Sequence, residues 1–183
     1  MNNEIDNKQF RTSDDRGTLM GGYTDIKSKV LRTLYNDEKL LRLLYYPPET
    51  SKVPAPLSDS LEDIIGTDKQ YEIIDTRILA TEKNSELEDR AICRLTVFLG
   101  KQRTQWNNNF AYTQDLYINI FVHEKYNDLR LEQLADRLDQ ILIGSRFHGI
   151  GKVTASGKEP FQGMRQYSQL RCRYKVMGIY GTY

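Results

Sequence analysis

The chain predicts an α+β domain with a largely antiparallel mixed β-sheet and helices packed on one face. Three observations carry this. Helical hydrophobic spacing runs from Ile26 to Leu44 and again from Leu131 to Leu142. Period-two segments lie between and after those stretches. The resulting order is helix, loop, strand, strand, strand, helix, strand, strand; it keeps helices and strands apart, as antiparallel sheets with one covered face do. With 183 residues, one core is the expectation.

Met1–Gly22 is polar, of mixed charge, and ends in Met-Gly-Gly, so it reads as a flexible N-terminal arm (1–22) ahead of a single domain (23–183). Ile26, Val30, Leu31, Leu34 and Tyr35 share one helical face, with Thr24 or Asp25 as the cap. Asn36-Asp37 restarts a helix carrying Leu40, Leu41 and Leu44, which Pro47-Pro48 stops. The Pro-rich loop 47–70 holds four of the five prolines and a small apolar patch of Leu61, Ile64 and Ile65; it reads as a surface connection. Tyr71–Ala80 and Arg90–Leu99 alternate as strands, joined by an acidic turn, TEKNSELEDR. Gly100–Gln114 is expected to be an Asn-rich, hairpin-like connection.

The clearest signal is DLYINIFVHEKYNDLRLEQLADRLDQILIG. Its first half alternates, with Leu116, Ile118, Ile120 and Val122 opposite Tyr117, Asn119, Phe121 and His123. After Asn127-Asp128 the period becomes helical through Leu131, Leu134, Ala135, Leu138, Ile141 and Leu142, and Gly144 sits where a C-cap belongs. Arg130, Glu132, Asp136, Arg137, Asp139 and Gln140 are assigned to the wet side. Ile150–Ala155 and Tyr167–Tyr180 complete the strands, joined by a Gly-rich connection.

Composition narrows the function. No apolar run is long enough to cross a membrane, and the N-terminus lacks an apolar signal core, so the protein is expected to stay where it is made. Cys93 and Cys172 fall at apolar positions of strands and read as buried free thiols, in keeping with a reducing cytoplasm. The net charge of +1 conceals a split: from Gly144 onward seven Lys or Arg face one acidic residue, Glu159. That asymmetry suits an acidic partner, either nucleic acid or another copy.

Catalytic signatures are missing. Cys93, Cys172, His123 and His148 are scattered singly, so neither a metal site nor a nucleophile with its base is expected. HGIGKVTASGKEP has the wrong spacing for a phosphate loop, and Gly149-Ile-Gly151 lacks the third glycine of a dinucleotide fingerprint. No cofactor and no enzymatic activity are expected.

Contact surfaces are better marked. Trp106, Phe110 and Tyr112 are aromatic rings in a polar connection; they either meet another chain or fold back over the sheet edge. On the last strand Arg171, Arg173 and Lys175 alternate with Leu170, Cys172, Tyr174 and Val176. This basic stripe could follow a phosphate backbone, meet acidic residues such as Glu82, Glu86, Glu88 and Asp89 of a neighbouring copy, or be a solvated outer face.

Over Asp25–Tyr180 the chain resembles the tail terminator (tail-completion) proteins of long-tailed bacteriophages and their neighbours among neck proteins. The likeness lies in IKSKVLRTLYNDEKLLRLLYYP, YINIFVHEKYNDLRLEQLADRLDQIL, the turn FHGIGKVT and the closing RCRYKVMGIY. The resemblance implies a small α+β subunit of a ring, expected as a homo-hexamer, at the head-proximal end of the tail. There it would stop tail-tube polymerisation and offer a docking surface to the neck, with DNA passing through the channel. The implied partners are other copies of the chain, the tail tube protein, the sheath and a neck or head-closure protein. The implied location is the virion, after assembly in the host cytoplasm. A head-closure or head-to-tail joining ring is the alternative within the same group, and a nucleic-acid-binding module is the alternative outside it.

Overall fold

A computed structural model describes residues 23–82, 87, 90–106, 108–145 and 150–179. The expected arm, His148, Glu86, Glu88 and Asp89 lie outside the described residues. Among the described residues there are four helices, α1 (Tyr23–Tyr35), α2 (Glu38–Tyr45), α3 (Asp68–Thr76) and α4 (Arg130–Leu142). Five strands, β1 (Ile78–Leu79), β2 (Cys93–Gln105), β3 (Asn108–His123), β4 (Ile150–Pro160) and β5 (Tyr167–Ile179), form one sheet in the order β1-β2-β3-β5-β4. Only β1 and β2 are parallel; every other pair is antiparallel. The architecture is the α+β fold with an antiparallel-dominated sheet that the alternation implied.

β3 is the spine because its two sets of side chains serve two different layers. Tyr112, Leu116, Ile118, Ile120 and Val122 join Cys93, Leu95, Val97, Cys172, Tyr174 and Val176 beneath the helices. Ile26, Val30 and Leu34 of α1, Leu40, Leu41, Leu43 and Leu44 of α2, and Leu134, Ala135, Leu138 and Leu142 of α4 close that layer. Each fully buried Leu or Ile there contributes about 1.5–3 kcal/mol over leaving it in water. As expected, Asp37 caps α2 by accepting from the Leu40 N–H at 2.8 Å, and Gly144, with φ 79°, ends α4. Thr24 and Asp25 fall inside the first turn of α1 rather than before it.

Four expectations need correction. Tyr71–Ala80 is not a strand; α3 occupies most of it, and only Ile78–Leu79 pair with the sheet. Its β-branched residues mimic alternation, yet within α3 only Ile73 is buried, so the rest is free to follow local helical bonding. Gly100–Gln114 is mostly strand: Gln102, Arg103 and Thr104 pair with Gln114, Thr113 and Tyr112, which leaves a turn only at the Trp106 tip. A hairpin extending past the core has no apolar period to announce it. β4 likewise runs on to Pro160, with a break in register beside Gly157 at φ 140°.

Arg130 is the fourth. Placed on the wet side by its charge, it is fully buried, donates to the Tyr46 carbonyl at 2.9 Å and the Leu43 carbonyl, and pairs with Asp128 at 2.7 Å. Arg77 reaches the Leu44 carbonyl from the other side. Two guanidiniums thus cap the C-terminal end of α2, where carbonyls lack intrahelical partners and the helix dipole is negative. The Pro-rich loop is pinned at the other end of α2. Glu38 accepts from the Ile64 and Ile65 N–H groups, while Arg42 donates to the Ser58 and Leu61 carbonyls and to Asp63. Ile64 is thereby held in the core.

Candidate assembly surfaces

Among the described residues, the sheet face away from the helices is covered at one end only. There Phe121 and Tyr167 pack with Leu87, Ile92, Phe161 and Met164 into a second small cluster. Leu87, the one apolar residue of the acidic connection, is fully buried as a plug, and the Tyr167 hydroxyl donates to the Leu87 and Arg90 carbonyls. The connection therefore is anchored, where a solvated turn was expected.

Toward the hairpin the same face becomes a layer of rings and guanidiniums. Phe98 and Tyr117 stack with centroids 5.2 Å apart, and the Tyr117 ring lies over Gly100, where a Cβ would come within 2.1 Å of it. The Arg171 guanidinium sits 5.7, 5.8 and 5.2 Å from the rings of Phe98, Tyr117 and Phe161, and its Nε donates to Asn119 at 2.9 Å. Arg173 stands 5.9 Å from Tyr117 and pairs with Glu159, whose carboxyl it holds below the usual range. Lys175 is exposed. Arg103, Asp115, Tyr117, Ser156, Arg173 and Lys175 border a cleft of about 200 Å³.

The basic stripe is thus present, but much of its charge is answered within the chain. Glu82, an expected partner on a neighbouring copy, comes within 4.0 Å of Arg171 of its own chain, and Glu159 lies equally near. Among the three candidate rings, Trp106 is 99% exposed at the hairpin tip, whereas Tyr112 is 4% exposed. Tyr112 faces the helices with its ring across Gly178, so it belongs to the core and not to a contact surface. Phe110 stands in β3, and its side chain lies outside the described residues.

His123 is a structural residue. It is buried, meets the Tyr167 ring edge-on at 5.0 Å, and its Nδ1 accepts from the Lys125 N–H at 3.2 Å. Burial pushes the Cys93 thiol up to about 12 and that of Cys172 to about 11, which keeps both protonated and unreactive. No group of His, Cys, Asp and Glu suited to a metal ion occurs among the described residues. Among them, too, no helix is long and apolar enough to cross a membrane.

Fold and surface define a small α+β domain with one helix-covered sheet face, one open face and a projecting hairpin. The chain belongs to the YomW family, whose model matches residues 37–176, from the Asp37 cap into β5. Over 136 residues it is 26% identical to the SPbeta prophage-derived uncharacterized protein YomW of Bacillus subtilis (strain 168), covering 68% of this chain and 77% of that relative. The family is phage-derived.

Proposed function

We propose that the protein is a structural subunit of a phage tail: a tail terminator that assembles with copies of itself into a ring, caps the tail tube and docks the neck. It acts through contacts and carries no catalytic centre. The observation that supports this most is the Trp106 side chain, left 99% exposed at the end of a hairpin. Tryptophan is enriched at the centre of protein interfaces, and an indole left in water at the end of a projection is what a waiting partner contact requires. The phage derivation of the family and the resemblance of its helix and strand patterns to tail terminators direct that contact to tail assembly. The self-neutralised arginine layer disfavours duplex DNA as the primary ligand.

Light scattering on the purified chain and negative-stain imaging test the reading; rings, alone or on tube ends, are expected. Deleting the gene from its phage should give tails of uncontrolled length. Tails of normal length that fail to join heads would move the ring to the head-tail junction, and a lasting monomer that binds duplex DNA tightly at low salt would overturn it.

A further inference from the structure

Building on the reading of the chain as a ring subunit, we propose that Trp106 of one copy seats in a groove at the opposite end of the next copy's sheet, formed by the turn between β4 and β5. The groove, about 240 Å³, is lined by Met164, Arg165, Gln166 and Tyr167, and Gly163 borders its continuation. Its chemistry suits an indole. Met164 offers a thioether, which favours aromatic rings, and Arg165 offers an exposed guanidinium for a cation–π contact.

Beneath the turn lies an unanswered acceptor. Gln169 is 5% exposed and donates its Nε2 to the Met164 carbonyl at 3.1 Å, while its Oε1 is buried without a hydrogen-bond partner. A buried acceptor left unpaired is destabilising unless something donates to it. Oε1 lies next to Gly163, where a Cβ would stand 3.3 Å from it, so a donor entering beside this glycine reaches the acceptor once the turn yields. An indole N–H is a donor without acceptor character, carried on an apolar ring.

Trp106 is the chain's one tryptophan. It cannot reach its own groove. The tip precedes the first residue of β3, while Tyr167 pairs with His123 at the last residue of β3, and sixteen strand residues span about 50 Å. The occupant is therefore a second copy, and the contact joins two different patches. Such heterologous contacts close into rings or run on as filaments.

Because the tryptophan is unique, its fluorescence reads the contact directly. In the full-length protein, emission should shift to the blue as concentration rises and assembly proceeds. Trp106→Ala should weaken self-association at least about 30-fold, the loss expected for a hot-spot aromatic, with an unchanged melting curve at dilutions where both proteins are monomeric. Met164→Asp should weaken it from the other side, with some loss of stability because Met164 also packs on the Phe121–Tyr167 cluster, and Arg165→Asp, on the exposed rim, should weaken it without that loss. A mixture of Trp106→Ala and Met164→Asp retains one intact junction per pair and should give dimers that do not grow, a signature of a heterologous contact. Rings whose tryptophan stays water-exposed would overturn this contact and leave the ring reading standing. Loss of assembly in Trp106→Ala but not in Met164→Asp would place the indole elsewhere, and a monomer at every concentration would overturn both.

Discussion

The two faces of the sheet are built from alternate residues of the same strands, yet they are held by different physics. On the helix side Leu116, Ile118 and Ile120 are fully buried in hydrocarbon, and two of the polar exceptions, Arg130 and Arg77, are committed to the end of α2. On the other side the neighbouring Tyr117 is half-buried in a layer of stacked rings and arginines that ends in open clefts. The first face carries stability. The second presents a surface that no described residue closes toward the hairpin. A sheet of this kind can commit one face to folding while the other remains for contact.

The largest effect should come from the polar exception beneath the helices. Arg130→Ala removes a buried guanidinium, leaves the Leu43 and Tyr46 carbonyls without their donor and frees the part-exposed Asp128, which should lower unfolding free energy by about 3–5 kcal/mol in urea titrations. A loss below about 1 kcal/mol would mean that water replaces the guanidinium and that this face is looser than its packing suggests. Next, Ile118→Ala should cost about 2–5 kcal/mol, while Tyr117→Ala, one residue along on the open face, should cost about 1 kcal/mol. Equal losses would erase the distinction between the faces.

The thiols offer a pH test of the covered face. Both folded values lie above the ordinary 9.0, with Cys93 near 12 and Cys172 near 11, so the fold favours the protonated forms. Their contribution is complete below pH 9.0 and is lost as pH rises through 11 and 12. Urea midpoints should therefore fall on that alkaline side, and a thiol reagent at neutral pH should label neither cysteine until the protein unfolds. The smallest effect is expected at the tip: Trp106→Ala should alter monomer stability by less than about 0.5 kcal/mol, because the ring touches nothing it would leave behind.

Much of the fold was legible where one period dominates. β3 and α4 carry their apolar faces openly, and Asp37 and Gly144 announce a helix start and stop through side-chain chemistry and a positive φ that need no tertiary context. Legibility failed at α3, where a run of Ile and Thr looks like alternation although only one of its side chains reaches the core. It failed again at the hairpin, whose polar strands pair through backbone groups that every residue possesses. Of the candidate contact residues, Trp106 and the Arg171–Lys175 stripe lie on the surface as their types suggested. Tyr112 could not be told from a loop aromatic until its partner across the sheet, Gly178, was known. The groove at Gly163–Tyr167 had no signal, since a Met-Arg-Gln turn is ordinary until Gln169 is seen beneath it.

By itself, then, the amino-acid sequence determined the α+β class, the covered face of β3 and α4, and the presence of a basic stripe and an unplaced tryptophan. These follow from side-chain periodicity and local capping, which act between residues a few positions apart. Only the tertiary structure decided that Arg130 is interior, that Arg171 and Arg173 are answered by Glu82 and Glu159, and that Trp106 and the Gln169 groove stand at opposite ends of one sheet. Each depends on which distant segments meet, and electrostatic pairing and burial are set by that meeting and not by spacing along the chain.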